Sequence, residues 1–211
     1  MDDKLSTRDR ILQAATARIK HYGYAKTTMA EIAADCGMSP GNIYRFFEAK
    51  IDIAEAMARK HYADEQARAA AIARRKDWPV DKRLREIFFG RMRDNYQLVD
   101  MSAKILEVAE VLTQERPLYF NETLAQDRVV LGALIAEGVE IGLFAPTDNP
   151  EYVAEMLQAA CAKFNFPALF SRLTLPKLER ELDGVLNLLF NGIYARAPVS
   201  AAAAKPVTVS A

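Results

Sequence analysis

A polar stretch in the first fifty residues carries side chains that can hydrogen-bond to DNA. The guanidinium of Arg45 suits the O6 and N7 atoms of guanine, and the amide of Asn42 suits N6 and N7 of adenine. Gly41 has no side chain, so the backbone of the same segment can approach a groove closely. Thr28 stands at the start of a predicted helix, where free N–H groups and the positive end of the helix dipole favour a phosphate. In isolation such an arginine is more often an ordinary surface residue, and Asn42 can be a first-turn polar residue, so contacts to base edges and phosphates are predicted only if a DNA-binding motif holds these side chains.

These side chains need a scaffold, and residues 28–47 have the spacing of a helix-turn-helix. Ala33 is small where a second helix would cross the first, and Gly37, four residues later, suits a left-handed turn. A further six residues lead to the apolar Ile43. The positions predicted to fill the wedge between the helices are Ile32, Met38, Ile43 and Phe47. The outer face of the second helix is left with Pro40, Gly41, Asn42, Tyr44 and Arg45.

Capping chemistry marks where both helices begin. Thr28, followed three residues later by Glu31, predicts a capping box, in which each side chain accepts a hydrogen bond from the other residue's backbone N–H. Ser39 is a predicted N-cap, and Pro40 follows at the first helical position. The N–H that proline lacks would have no acceptor within the helix at this position, so proline costs no hydrogen bond there. Both helix starts are therefore set by residues next to the predicted contacts.

Over residues 7–53 the sequence resembles the DNA-binding domain of the TetR family of bacterial regulators. The family pattern is an aliphatic-Tyr pair, two variable residues, Phe, two more residues and Lys, and every fixed position is met. The matching positions are Thr27-Thr28, Ile32-Ala33, Gly37, Ser39-Pro40, Ile43-Tyr44-Arg45-Phe46-Phe47 and Lys50. The resemblance implies an all-α homodimer, most commonly a repressor that a small molecule releases from DNA.

The resemblance also implies roles at individual positions. Tyr44 and Lys50 correspond to the family's backbone contacts, a hydroxyl and an ammonium that flank the recognition helix. Such contacts fix the register on DNA without reading its sequence. The full set of predicted DNA contacts is Thr28, Ser39, Pro40, Gly41, Asn42, Tyr44, Arg45 and Lys50. The expected partner is a palindromic double-stranded operator, because a homodimer presents two identical recognition helices.

Apolar residues recur at helical spacing along almost the whole chain, and no convincing alternation of period two is present. The sequence therefore predicts an all-α fold, with a three-helix helix-turn-helix DNA-binding domain at residues 5–65 and a larger helical ligand-binding and dimerisation domain at 66–196. A long helix from about Ala49 to about Arg75 joins them and ends before Trp78-Pro79. The small, proline-containing segment 197–211 is predicted to be a disordered tail.

A helical domain that binds a ligand needs a cavity, and such cavities are lined by inward aromatic and aliphatic side chains. The residues predicted on these faces are Phe88, Met92, Tyr96, Ile105, Phe120, Leu124 and Phe164. The inducer is accordingly expected to be small and largely apolar. Glu107 and Glu110 are the polar candidates, although a solvent-exposed helix face is the more usual place for both.

The last two long helices carry more apolar surface than one neighbour in the same chain can cover. This surplus predicts a homodimer, with four helices packed across a two-fold axis. Gly184 and Gly192 would allow the helices to approach closely. The predicted interface residues are Val153, Leu157, Cys161, Leu182, Leu186, Leu189 and Ile193.

The chain has 28 Lys and Arg against 28 Asp and Glu, so a DNA contact must come from a local patch. Cys36 and Cys161 lack the spacing of a metal site and are interpreted as packing residues. His21 and His61 are interpreted as ordinary helix-face residues, and no metal or cofactor is expected. The charged N-terminus does not resemble a signal peptide and no apolar run reaches the length of a membrane span, which favours a cytoplasmic protein.

Two other classes of protein compete with this interpretation. A di-metal carboxylate enzyme needs Glu-x-x-His motifs, and neither histidine has a glutamate three residues before it. Glycine-rich nucleotide loops and a nucleophile elbow are also missing, so the chain is not expected to be an enzyme. A TetR-like DNA-binding adaptor, whose large domain binds a protein partner, stays open. A closed apolar cavity would favour the ligand, whereas a filled core with an exposed apolar patch would favour the partner.

Overall fold

The computed structural model describes residues 5–170 and 172–195, and the predicted all-α fold is confirmed. Within these ranges no β-strand forms, and one isolated antiparallel bridge joins Phe144 to Tyr194. Short 3₁₀ segments lie at Ala103–Ile105 and Pro167–Leu169. The helices are α1 (Thr7–Tyr22), α2 (Met29–Asp35), α3 (Pro40–Ile43), α4 (Lys50–Ala73), α5 (Val80–Met101), α6 (Leu106–Glu115), α7 (Pro117–Glu140), α8 (Pro150–Ala160), α9 (Ala162–Asn165) and α10 (Leu175–Ile193). The tail predicted at 197–211 lies outside the described residues.

The helices α1 to α3 pack with the first turns of α4 around a small apolar core, and we call residues 5–57 the N-terminal unit. The predicted capping box at the start of α2 is present: Thr28 N donates to Glu31 Oε2 at 2.9 Å, and Glu31 N donates to Thr28 Oγ1 at 3.3 Å. Completely buried members of the core are Ile11, Ala15, Ile32, Ala33, Ile43 and Ile53. Local signals in the sequence therefore account for the start of α2 and for the inner face of this unit.

The long helix α4 connects the N-terminal unit to the rest of the chain, and its second half packs against α5 and α7. We call residues 58–195 the large domain, as far as the structure describes them. Its main core lies between α5, α7, α8 and α10 and includes the fully buried Leu84, Met92, Leu178, Leu182, Leu186 and Phe190. None of the described helices is long and apolar enough to cross a membrane.

The structure corrects the predicted dimer surface. Four of its seven residues are at most 2 % exposed within their own chain, because α8 and α10 turn these sides toward the main core: Leu157, Cys161, Leu182 and Leu186. The other three, Val153, Leu189 and Ile193, are half-buried at the edge of the same core. The exposed apolar side chains of the two helices are instead Tyr152, Met156 and Leu188.

One predicted helix is also shorter than expected. Apolar spacing suggests a continuous helix from Val153 to Phe164, but α8 ends at Ala160 and a turn at Cys161 separates it from α9. Cys161 has φ −93° and ψ 7°, which lies outside the helical range, and its thiol is fully buried. Burial raises the pKa of this thiol to about 12, so Cys161 is a protonated packing residue.

Candidate nucleic-acid interface and ligand cavity

The turn between α2 and α3 depends on Gly37. Its φ angle is +67°, so the predicted left-handed turn is confirmed. Gly37 N donates to Ala34 O at 2.9 Å and Met38 N donates to Ala33 O at 3.0 Å, which satisfies the last carbonyls of α2. Ala33 is fully buried, as expected for the residue at the helix crossing. The turn therefore places α3 firmly against α2.

The segment after this turn presents polar side chains to solvent. Ser39 is the N-cap residue of α3, and Pro40 occupies its first position, as predicted. Tyr44 is 54 % exposed, while Ile43 on the opposite side is fully buried. Arg45 is exposed, and across residues 5–170 and 172–195 no hydrogen bond or ion pair engages its guanidinium. The exposed positions of this segment are Ser39, Pro40, Gly41, Tyr44, Arg45 and Phe46, with Asn42 half-buried.

Thr28 lies at the exposed start of α2, but its hydrogen-bonding groups are already used. Its hydroxyl donates to Glu31 Oε2 at 2.8 Å and also receives the N–H of Glu31. A phosphate at this helix start would therefore have to use the backbone N–H groups of Met29 and Ala30, which have no intrahelical acceptor. The Glu31 carboxylate beside them lowers the affinity of this site for an anion.

Lys50 is engaged inside the protein. Its Nζ donates to the carbonyl oxygens of Tyr24 and Thr27, each at 2.8 Å, and lies 4.2 Å from the centroid of the Tyr24 ring. Partial burial lowers the pKa of Lys50. The ammonium thus ties the start of α4 to the loop between α1 and α2. Two of its three N–H donors are occupied, so the predicted phosphate contact has one donor left.

The formal charge is unevenly distributed along the neutral chain. Residues 5–50 contain seven Lys and Arg against four Asp and Glu, a net charge of +3. Residues 51–195 contain 18 Lys and Arg against 22 Asp and Glu, a net charge of −4. The basic excess is therefore local to the helix-turn-helix, which is where an electrostatic attraction to phosphates is needed.

A cavity of about 440 Å³ lies in the large domain, between α4, α5, α6 and α7, with α1 and the 3₁₀ segment at Pro167 at its edges. Three of the seven predicted ligand contacts line it: Ile105, Phe120 and Leu124. Other apolar residues in its wall are Met57, Leu98, Val108, Leu112 and Phe166. Its volume falls in the range of small-molecule sites.

The remaining four predicted ligand contacts require correction. Phe88, Met92 and Phe164 are at most 3 % exposed and fill the main core, while Tyr96 is half-buried against it. The apolar face of α5 at these positions points toward α7 and α10 and not toward the cavity. Of the two polar candidates, Glu110 lines the cavity at an exposed position. Glu107 instead faces the N-terminal unit, where its Oε2 accepts from Ala25 N at 3.0 Å.

One wall of the cavity carries ionisable side chains, which we call the buried charge cluster: His61 and Glu65 of α4, Arg91 of α5 and Asp127 of α7. Arg91 Nη1 lies 2.7 Å from Asp127 Oδ2, and Arg91 Nε lies 3.8 Å from Glu65 Oε2. Glu65, Arg91 and Asp127 are at most 7 % exposed. Burial raises the pKa of Asp127 against the opposing effect of Arg91, and contact with Glu65 raises the pKa of His61.

The buried charge cluster was not predicted from the sequence, although a signal for it is present. Asp127 follows Leu124 by three residues and precedes Leu131 by four, so it interrupts an apolar helix face with a charge. Arg91 follows Phe88 by three residues and breaks the inner face of α5 in the same way. Charged residues at core spacing are rare unless they are paired, and they mark a polar site inside a bundle.

Residues in the α6 wall of the cavity also pack against α1 and the start of α4, on the side of the N-terminal unit that faces the large domain. Ile105, Val108 and Leu112 belong to one apolar cluster with Ile19 and Ile51. Polar contacts reinforce this junction: the Ser102 hydroxyl donates to Lys20 O, Lys104 Nζ to His21 O, and Arg116 pairs with Asp52 and Glu55. Gly23 has φ +96°, and a Cβ added there would lie 2.7 Å from Glu107 Oε1, so another residue would strain the backbone and displace the Glu107 carboxylate.

Comparison with known proteins agrees with this architecture. Residues 11–57 match the family described as bacterial regulatory proteins, tetR family, and residues 81–186 match the tetracyclin repressor-like C-terminal domain. No curated protein sequence matches the chain. The fold is similar to that of SmeT, the repressor of the Stenotrophomonas maltophilia multidrug efflux pump SmeDEF, with a TM-score of 0.68 and 18 % identity over 93 % of this chain and 94 % of SmeT.

Two further solved structures show the same likeness of fold. The SmeT–triclosan complex has a TM-score of 0.66 and 20 % identity, covering 92 % of this chain and 94 % of that one. The fatty acid degradation regulator FadR from Bacillus halodurans has a TM-score of 0.66 and 20 % identity, covering 90 % and 97 %. Since the two family matches together cover most of the chain, the protein belongs to the TetR family of bacterial regulatory proteins, which are DNA-binding regulators and not enzymes.

Proposed function

We propose that this TetR-family regulator is a homodimeric repressor that leaves a palindromic operator when a small, largely apolar ligand occupies the cavity. The observation that carries the proposal is the position of the cavity. Its walls include α4 and α6, and both helices also contact the N-terminal unit. A ligand that moves either wall would therefore move the DNA-binding surface. The proposal places the protein in the cytoplasm, where bacterial DNA lies.

The geometry of DNA binding supplies the mechanism. The two recognition helices of a dimer must lie about 34–36 Å apart to enter successive major grooves. Because α4 runs from Lys50 in the N-terminal unit to Ala73 beside α5, a small tilt of this helix changes that separation. A ligand produces the change only if it binds the state that does not fit DNA more tightly than the state that does.

The proposed dimer uses the exposed sides of α8 and α10. Tyr152 and Met156 on α8 and Leu188 on α10 are apolar and 41–77 % exposed. A Cβ added to Gly184 or Gly192 on α10 meets no atom of the described chain within 4 Å, which leaves room for another helix to approach. Leu188→Glu should therefore yield a folded monomer by light scattering, whereas changes at the buried Leu186 would only unfold the chain. A dimer that survives Leu188→Glu and Met156→Glu together contradicts this interface.

The second candidate, an adaptor whose large domain binds a protein, is less well supported. A cavity with a mostly apolar wall is more typical of a small-molecule site than of a protein interface. The fold is also similar to that of SmeT, which has been solved in complex with triclosan. The exposed apolar side chains on α8 and α10 are assigned above to the second copy of the chain.

The test is the coupling between ligand and DNA. An operator is selected from random DNA with the purified protein, and small apolar compounds are screened for those that raise its melting temperature. A true inducer should weaken operator binding, and saturating operator should weaken ligand binding by the same factor, typically about 5–150-fold. Equal ligand affinity with and without operator contradicts the repressor mechanism.

A matched pair of variants localises the effect. Ala109 lines the cavity, whereas Ala71 lies on the exposed side of α4. Ala109→Trp should fill the cavity, keep operator binding and lose the response to ligand, while Ala71→Trp should behave as the unchanged protein. If Ala109→Trp still responds, the ligand binds elsewhere, and if no compound binds at all, the protein-partner candidate replaces the proposed one.

A further inference from the structure

We propose that the ligand of this cavity carries a positively charged, hydrogen-bond-donating head group, such as an ammonium, on an apolar body. The inference rests on the proposed function, in which the cavity holds a small molecule, and it concerns the chemistry of that molecule. It is carried by the buried charge cluster, where two carboxylates face one guanidinium in a space large enough for a ligand.

The charge balance of the buried charge cluster favours a cationic ligand. Glu65 and Asp127 are 6 % and 4 % exposed, and Arg91, at 7 %, is the one buried cation beside them. With both carboxylates ionised, Glu65, Asp127 and Arg91 have a net charge of −1. Contact with Glu65 raises the pKa of His61, so a protonated His61 or a bound cation can offset this charge. The other charged residues in the cavity wall cancel, since Lys20 and Lys60 balance Asp64 and Glu110. An uncompensated carboxylate is costly inside a protein, and a bound cation removes that cost.

Hydrogen bonding at Glu65 also favours a ligand that donates. In the described part of the chain, no donor makes an aligned hydrogen bond to its Oε1. His61 Nε2 is 3.3 Å from this oxygen but is not aligned with it, and Arg91 Nε is 3.8 Å from the other oxygen. A buried carboxylate normally accepts several hydrogen bonds. Glu65 is therefore an acceptor without a donor at the cavity wall, which an ammonium or a protonated amine nitrogen would supply.

The neighbouring groups disfavour an anionic head group. Arg91 directs Nη1 at Asp127, so its charge is already shared with one carboxylate and lies close to a second. Its Nε also lacks an aligned partner among residues 5–170 and 172–195, but an anion placed there would lie next to Glu65. The Tyr62 hydroxyl is likewise committed, because it donates to Thr123 O at 2.5 Å.

The rest of the cavity suits the apolar body of such a ligand. Tyr119 and Phe120 place two rings in the wall, with centroids 5.1 Å apart, and they offer apolar surface to such a body. Aliphatic side chains from α4, α5 and α6 complete the wall. The cavity therefore has a polar, negatively charged end and an apolar remainder, which fits an amphipathic cation.

The test compares three probes that share one body and differ in charge: 1-naphthylmethylammonium, 1-naphthylmethanol and 1-naphthylacetate. Their affinities for the full chain are measured by titration calorimetry at pH 8, where the amine is charged and protonation of His61 is less favoured than at neutral pH. The ammonium should bind at least about tenfold more tightly than the alcohol, and the carboxylate most weakly.

Two isosteric variants assign the effect to the cluster. Glu65→Gln should remove the advantage of the ammonium and leave the affinity of the alcohol within about twofold. Glu110→Gln removes the same charge at an exposed position of the wall and should change neither value. Since Glu65→Gln keeps the contact between Arg91 and Asp127, its melting temperature should equal or exceed that of the unchanged protein.

The outcomes separate this inference from the proposed function. Equal binding of the three probes, or tightest binding of naphthylacetate, overturns the cationic head group but keeps the cavity as a ligand site. An ammonium advantage that survives Glu65→Gln overturns the assignment to the cluster. If none of the three probes binds, the inference fails. The proposed function fails with it only if the wider compound screen also finds no ligand.

Discussion

The N-terminal unit and the large domain bury polar groups in different ways. In the N-terminal unit the buried Thr27 hydroxyl donates to Gly23 O at 2.8 Å, and the Lys50 ammonium donates to two carbonyls. In the large domain Glu65 and Arg91 are also buried, but within the described chain Glu65 Oε1 and Arg91 Nε have no aligned hydrogen-bond partner. Among the described residues, the buried side-chain atoms without a hydrogen-bond partner therefore all lie in the large domain, at His61, Glu65, Arg91, Asp127 and Gln158.

This difference matches what the proposed function requires of each region. A DNA-binding surface must keep a fixed register, and fully satisfied polar contacts make a structure rigid and unique. A site that senses a ligand keeps groups open for that ligand and accepts a lower stability without it. Two contacts connect the regions: Ala25 N donates to Glu107, and the Arg116 guanidinium donates to Asp52.

Arg91→Met should have the largest effect, because it leaves Glu65 and Asp127 buried without a cation. We expect the free energy of unfolding to fall by about 3–5 kcal/mol, measured by urea denaturation. Arg93, two residues along α5, pairs with Glu179 at 2.7 Å but is 43 % exposed, so Arg93→Met should cost less than about 1 kcal/mol. Equal losses for the two variants would show that the cluster is not effectively buried.

Lys50→Met tests the completeness of the N-terminal unit. It removes two charge-assisted hydrogen bonds to carbonyls, and we expect it to lower the free energy of unfolding by about 1–3 kcal/mol. Lys26→Met, at an exposed lysine of the same unit, should stay within about 0.5 kcal/mol. If Lys50→Met keeps its stability but flattens the salt dependence of DNA binding, the lysine contacts a phosphate after all.

Arg45→Ala should show the reverse pattern, with unchanged stability and weaker DNA binding. The guanidinium is exposed, so its loss should cost no folding energy. Loss of a bidentate contact to a base should reduce discrimination at one base pair per half-site by about 1–3 kcal/mol. Titrations of matched and mismatched operators measure this, and an equal loss for every sequence would make Arg45 a phosphate contact.

The smallest effect concerns an ion pair in the large domain that is satisfied on both sides. Hydrogen bonds from Arg83 and Lys76 lower the pKa of Glu137 to about 2. Because the folded-state pKa lies below the ordinary value, Glu137 contributes stability that is complete above the ordinary pKa of glutamate and is lost as the pH falls toward 2. Glu137→Gln should flatten the decline of stability below about pH 4.5, and an unchanged acid profile contradicts this role.

Much of the N-terminal unit follows from the sequence alone, because its determinants are local. The capping box of Thr28 and Glu31 and the left-handed turn at Gly37 each depend on residues a few positions apart. The spacing of Ala33, Gly37 and Ile43 places the inner side of the motif in the core and leaves Arg45 outside. Such signals do not depend on what the rest of the chain does, so they can be predicted before the fold is known.

The large domain required the tertiary structure, because a helical apolar face does not say which neighbour covers it. Phe88 and Leu186 have the spacing expected of a ligand contact and a dimer contact, yet both fill the core of their own chain. A cavity is a region that packing leaves empty, and only the arrangement of several helices creates it. Glu65, Arg91 and Asp127 come from three helices, so their charges meet only after α4, α5 and α7 have packed together.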